Sequence, residues 1–239
     1  MAELNSVGLE SRTPVKSGEL IAPVWHTIVL LLFLMSFSGL GALGAHLSSA
    51  HTHNHTRGYL LAIAIEWLMV LFVWYGMRLR GARLRELIGS YGSVLGLSDF
   101  GVAILFIMAS NMILAILAHW LRATHNQATR NLLPSGPHDV WVYLLLALSA
   151  GICEEIVCRG YFYRQFAALT KSTWAGLMIQ GAIFGAAHGY QGWKFMSILA
   201  VYGCMFGLLA RWRKSLRPGM IAHALQDGLV GLMQRNLLR

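Results

Sequence analysis

Seven apolar runs separated by short polar breaks make up most of the chain, at roughly residues 24–47, 59–77, 100–121, 140–158, 174–188, 194–210 and 219–234. Runs near 20 residues rise about 30 Å as helices, the thickness of a bilayer's hydrocarbon core. The pattern predicts an all-α fold, a polytopic helical membrane bundle of about seven transmembrane helices. Between the second and third runs, residues 82–98 mix Arg83, Arg85 and Glu86 with Leu84, Leu87 and Ile88, which predicts a connector lying along the membrane surface. The polar stretch 122–139, with Pro134, Gly136 and Pro137, divides the chain. We therefore expect a tail at 1–23, an N-terminal group of helices at 24–121 and a C-terminal helical core at 140–235.

Composition supports this organisation. Of 239 residues 56% are hydrophobic and 12% charged, with mean hydropathy +0.55, whereas a soluble domain carries about 25% charge. A net charge of +9 would suit nucleic acid, but the basic residues sit in short loops rather than on one face. Alternate loops hold 13 of the 19 Lys and Arg. That bias reads as membrane topology, with the N-terminal tail, the Arg78–Arg85 loop, the loop after Cys158 and the Arg211–Arg217 loop cytoplasmic, and with no nucleic-acid partner. The first 20 residues lack the apolar core of a signal peptide, so the first run is expected to stay in the membrane. Cys153, Cys158 and Cys204 lie within apolar runs and read as reduced packing residues.

Four of the ten acidic residues fall well inside apolar runs: Glu66, Glu154, Glu155 and Asp227. A charge at membrane depth costs about 2.5–3.5 kcal/mol on insertion scales, so each needs a partner or a purpose. Glu66 stands alone and reads as an interhelical hydrogen-bonding group. Glu154 and Glu155 are adjacent, with Arg159 a turn later. On an α-helix Glu155 and Arg159 share a face while Glu154 points about 100° away. One acid is then neutralised and the other faces a cavity.

His188 closes the next apolar run after Phe184, Gly185, Ala186 and Ala187. The midpoint between Glu154 and His188 is residue 171, inside the polar break Thr170–Thr173. A hairpin turning there brings carboxylate and imidazole to one height, where together they can hold and deprotonate a water molecule. In the last run His223 and Asp227 are four apart and share a face. They could hydrogen-bond a developing oxyanion, order a substrate carbonyl, or complete a metal site with His188 and a glutamate. The chain has no HExxH, no GxSG with a suitable later histidine and no pair of intramembrane aspartates, which leaves water as the nucleophile. His51, His53 and His55 alternate in a polar loop and are expected to bind metal only adventitiously.

These motifs resemble the CAAX proteases and bacteriocin-processing enzymes (the CPBP family), which include the type II CAAX prenyl endopeptidases. The family pattern is EExxxR, then FxxxH, then HxxxN or HxxxD on successive membrane helices. Glu154, Glu155 and Arg159 match the first element, Phe184 and His188 the second, and His223 and Asp227 the third. The resemblance implies an intramembrane glutamic-type endopeptidase acting on a peptide or protein substrate at the lipid bilayer. In it Glu154 and His188 activate water, His223 and Asp227 form the oxyanion wall, and Glu155, Arg159 and Phe184 support the site. It implies no cofactor, with zinc the alternative, and a multi-pass protein of a bacterial inner membrane. The rival reading is a non-catalytic bacteriocin-immunity or scaffolding protein of the same fold.

Asp227 departs from the prenyl-protease branch, which has asparagine at that place. Asparagine donates through its amide, whereas an ionised aspartate repels an oxyanion. Asp227 is therefore either protonated or orients His223. Depth raises a further difficulty. A turn at residue 171 puts Glu154 some 24 Å along its helix, yet His223 follows closely on the loop ending at Gly219. The motifs meet only if the hairpin projects past the membrane surface or the fifth span is short and re-entrant.

Overall fold

The computed structural model describes residues 18–47, 55–89, 97–124, 129, 133–134 and 136–237. His51, His53, most of the tail and part of the surface connector lie outside them. The elements are α1 (Val24–Leu47), α2 (His55–Leu79), the short α3 (Arg85–Ile88), α4 (Leu97–Trp120), α5 (Pro137–Glu154), a π-helical stretch (Glu155–Phe162), α6 (Tyr163–Thr170), α7 (Thr173–Ala187), a 3₁₀ turn (Gly189–Gln191), α8 (Trp193–Arg213) and α9 (Arg217–Leu237). The described residues form helices and contain no strand, with one isolated bridge between Gly89 and Ser215. This is the helical membrane bundle predicted from the hydrophobic runs.

Four elements are long and apolar enough to cross a membrane: His55–Leu79, Leu97–Trp120, Pro137–Thr170 and Trp193–Arg213. Val24–Leu40 and Thr173–Ala187 are shorter apolar helices. The expected seventh span, 219–234, lies within α9, which is not among the apolar elements. It turns His223 and Gln226 toward other helices and pairs Asp227 with His223 one turn away, and that polar content lowers its hydropathy.

The run expected to end at residue 158 continues for 34 residues to Thr170, about 50 Å of helix. It opens on Gly136, whose N–H donates to Asp139 Oδ2 (3.2 Å), with Pro137 in the first turn where no amide hydrogen is needed. It ends at Lys171, which adopts φ +54° so that its N–H reaches Ala168 O and the following Ser172 N–H reaches Ala167 O. Ser172 Oγ then accepts from Ala175 N (3.2 Å) to start α7.

The hairpin therefore turns at residue 171. Its helices meet where Gly176 passes the backbone of Tyr163 and Ala167, so close that a Cβ would lie 2.6 Å from Ala167 N. At 15 residues, about 22 Å, α7 is shorter than a hydrocarbon core. A long partner and a short return resolve the depth difficulty: Glu154 sits midway along the long element, and α7 ends at that level.

Small residues set the remaining contacts. Gly181 and Gly185 of α7 face the backbone of Ala200 and Met196 on α8, and Gly151 of α5 faces Ala224 N and Met220 O of α9. Asn111 of α4 and Gln226 of α9 exchange amide hydrogen bonds (3.1 and 2.7 Å). Gln165 pins the entry to α1, accepting from Ile21 and Ala22 N and donating to Ala22 O (2.8 Å).

Candidate active site

The helix changes winding at the carboxylate pair: Glu154 ends α5 and Glu155 begins the π-helical stretch. The sequence reading treats this region as plain α-helix. In the structure the Tyr163 N–H bonds Cys158 O, five residues back, which widens the turn. Such bulges are enriched at functional sites. The whole stretch is buried, including Glu155, Arg159, Tyr161 and Phe162.

Arg159 Nη1 lies 2.8 Å from Glu155 Oε1, and both side chains are sealed from solvent at 0% exposure. The contact is close in distance but off-line as a hydrogen bond, and none of the three guanidinium nitrogens makes one. The rings of Phe184 (4.2 Å) and Phe206 (4.7 Å) take up the remaining faces of the cation. Phe184 also meets His188 (4.8 Å) and His223 (5.9 Å), so one ring touches three of the polar groups.

His223 is the centre of the constellation. Its Nδ1 lies 3.2 Å from Glu155 Oε1, and its Nε2 lies 3.8 Å from Glu154 Oε2 and 3.6 Å from Asp227 Oδ2. The Gly151–Ala224 approach makes this possible by bringing α9 against α5. Gly219 leaves room for Glu155, since a Cβ there would lie 2.9 Å from Oε2. Glu154 and Asp227 keep 25% and 39% of their side chains exposed, so the open carboxylates are these two and Glu155 is the sealed one.

His188 stands beyond the last turn of α7, its Nδ1 2.8 Å from Phe184 O. A carbonyl only accepts, so the proton is on Nδ1 and Nε2 is left as the basic nitrogen. Among the described residues no hydrogen bond or ion pair joins Glu154 to His188; the recorded partner of Glu154 is His223. Glu154 and Asp227 both approach His223 Nε2, and His188 meets the same Phe184 ring as His223.

Sequence reasoning missed three neighbours. Tyr190 follows His188 in the 3₁₀ turn, with ring centroids 6.0 Å apart, and accepts from Gln191 Nε2 (3.1 Å). Burial pushes its phenol up to about 12, against the opposing hydrogen bond from Gln191, so it stays neutral at physiological pH. Phe206 packs on His223 (5.2 Å), and Tyr143 OH donates to Asp227 O (3.1 Å). Aromatic residues in apolar runs carry no signal that separates site from core. Among the described residues no group of three or more His, Cys, Asp or Glu is arranged to hold a metal ion.

A buried cluster of acids and imidazoles inside a helical membrane bundle defines the class. Residues 136–229 match the model of a family described as type II CAAX prenyl endopeptidase Rce1-like. The matched span contains every residue of the three motifs and leaves α1 to α4 outside. UPF0177 protein YbdI of Lactococcus lactis subsp. lactis is 28% identical over 98 residues, 41% of this chain and 51% of that protein. The chain thus spans about half the length of the curated relative it matches. No solved structure matches significantly.

Proposed function

We propose that the protein is an intramembrane endopeptidase that hydrolyses a peptide bond of a membrane-associated substrate with a water molecule as nucleophile. The observation that carries this reading is the meeting of three carboxylates on one imidazole, His223, within the domain matched to the protease family. A purely structural ion pair needs Glu155 and Arg159 alone. The open carboxylates of Glu154 and Asp227 go beyond that need.

In the proposed reaction, Glu154 and the Nε2 lone pair of His188 hold the water. Glu154 takes its proton as the oxygen attacks the carbonyl carbon. The carbonyl becomes a tetrahedral oxyanion, to which His223 donates through Nε2 while its Nδ1 donates to Glu155. The C–N bond then breaks and the proton held by Glu154 passes to the leaving amine. Asp227 orients His223, and Arg159 pairs with Glu155 behind it.

Reconstitution in lipid vesicles with membrane peptides identified by mass spectrometry, from cells with and without the protein, tests this. Cleavage by the native chain and its loss in Glu154→Ala and His188→Ala is the expected result. Equal processing by all three proteins would sink the assignment. Activity that vanishes on metal stripping and returns with zinc would replace the water-activation step. The second reading, a non-catalytic scaffold, rests on the rigid clamp of Arg159 between Phe184 and Phe206. It predicts full biological rescue by both variants.

A further inference from the structure

Away from the carboxylate cluster, α4 and α8 leave an open groove of about 390 Å³ between them, within the roughly 300–1,000 Å³ of sites that hold small ligands. Its walls include Val102, Leu105 and Phe106 of α4 and Leu208, Leu209 and Trp212 of α8. Leu105 and Trp212 stand open at 67% and 69% exposure, while Leu209 is buried at the floor. Both helices are long and apolar enough to cross a membrane, so the groove opens onto lipid rather than water. Water gains little in a cleft lined this way, whereas a hydrocarbon chain supplies the dispersion contacts its lining needs.

One end of the groove is cationic. There the start of α4 meets the end of α8, and Arg213 Nη2 lies 3.4 Å from Asp99 Oδ1, one turn from Val102. The guanidinium also lies over the ring of Trp212, 5.6 Å from its centroid. Asp99 leaves much of this arginine unused. Its contact is long beside the roughly 2.7–2.9 Å of a charge-assisted bond, and the buried Nε has no hydrogen-bond partner among the described residues. Residues 211–217 carry Arg211, Arg213, Lys214 and Arg217 and no acid. A staple between helices accounts for Asp99 with Arg213. It does not account for the surplus of positive charge at the mouth of an apolar groove. Hydrocarbon walls beneath a cationic rim and an exposed tryptophan are the complement of a lipid with a negative headgroup.

We infer that the α4–α8 groove binds an anionic phospholipid, with an acyl chain along Phe106 and Leu208 and the phosphate held by Arg213 beside the exposed Lys214. The groove backs onto the candidate active site without opening into it. Phe106 packs on Phe206 (4.7 Å), and Phe206 in turn lies against Arg159 (4.7 Å) and His223 (5.2 Å). A bound chain therefore supports the ring that clamps the buried ion pair, as a structural lipid and not as a substrate. This holds whether or not the protein is a peptidase.

Native mass spectrometry of the full-length protein, titrated in detergent with phosphatidylglycerol or phosphatidylcholine of the same acyl chains, tests the site. The wild type is expected to hold phosphatidylglycerol at least about fivefold more tightly, the scale of one basic residue at a membrane surface. The double change Asp99→Asn with Arg213→Gln removes the ion pair without stranding a charge and is expected to abolish that preference. Leu105→Trp, at an exposed position, fills the groove and is expected to weaken retention of both lipids while the ion pair stays. Soluble glycerol 3-phosphate should neither bind detectably nor raise the melting temperature. Equal retention of the two lipids by the wild type would overturn the inference, and this comparison needs no variant to fold. A preference that survives in the double variant would overturn it as well. Stabilisation by glycerol 3-phosphate equal to that by phosphatidylglycerol would make this a free-phosphate site instead. Lipid retention unchanged in Leu105→Trp, with peptide cleavage lost, would give the groove to a substrate segment and sink the lipid assignment.

Discussion

Arg159 and Glu155 form an ion pair that neither water nor lipid reaches, at 2.8 Å and 0% exposure on both sides. A buried pair of this kind contributes little net stability but is costly to break, because the surviving charge has no solvent. Arg159→Met is therefore expected to destabilise the protein by about 3–5 kcal/mol. The double change Arg159→Met with Glu155→Leu should recover most of that loss while abolishing any activity that depends on His223. Thermal unfolding in detergent, compared across the cycle, measures both. Equal melting of the single and double variants would show that the pair is not the source of the cost.

Tyr161 carries a second buried chain of hydrogen bonds. Thr27 Oγ1 and Tyr161 OH are 2.9 Å apart, and Tyr161 OH lies 2.8 Å from His26 Nδ1. Because His26 Nε2 donates to Phe72 O, its Nδ1 must accept, which makes Tyr161 the donor and Thr27 the donor to Tyr161. Tyr161→Phe leaves two groups unsatisfied and should cost about 1–3 kcal/mol. His26→Phe in the same background should cost little more. Melting temperatures of the pair report the coupling, and full additivity would count against a connected chain.

Gly219→Ala tests the fit of Glu155. The added methyl would sit 2.9 Å from Glu155 Oε2 and 3.5 Å from the Phe206 ring. It must displace one of them at a cost of about 1–3 kcal/mol, and the carboxylate is the one that also holds His223. The expected result is a modest drop in melting temperature with a larger loss of turnover. Unchanged turnover would mean that the Glu155–His223 contact is dispensable.

The hydrophobic runs revealed the bundle because lipid contact selects apolar residues over a fixed length. They were less informative wherever a helix faces protein instead. The apolar pattern of the long element stops near Cys158, and Arg159, Arg164 and Gln165 follow, yet Arg159 is paired with Glu155 and Gln165 with the backbone of Ile21 and Ala22. Hydropathy falls there because the surroundings change from lipid to partner groups, not because the helix stops. The seventh run shows the same effect at His223, Gln226 and Asp227. The turn at Lys171 was legible because polar residues cluster there. The π-helical winding was not, since hydrogen bonding five residues back leaves no trace in the order of apolar and polar positions. The spacing of Glu155 and Arg159 pointed to their pairing. That His223 rather than His188 is the recorded partner of Glu154 depends on the Gly151–Ala224 approach, a tertiary contact between distant segments.

Asp227 provides the sharpest test of the proposed chemistry. Its Oδ2 lies 3.6 Å from His223 Nε2, and the side chain is the most open of the site's carboxylates. If the carboxylate orients His223, an amide can replace it, since the amide oxygen accepts the same contact and the amide nitrogen adds a donor toward the cavity. Asp227→Asn should then keep kcat/KM within about tenfold of wild type. Asp227→Ala, which leaves Nε2 free to turn toward Glu154, should lose about 100-fold or more, the scale of a removed oxyanion-stabilising group. Steady-state kinetics on a peptide identified by mass spectrometry decides between them. Loss of activity in Asp227→Asn as deep as in Asp227→Ala would require the negative charge itself, and with it a role for Asp227 in moving the proton rather than in holding His223.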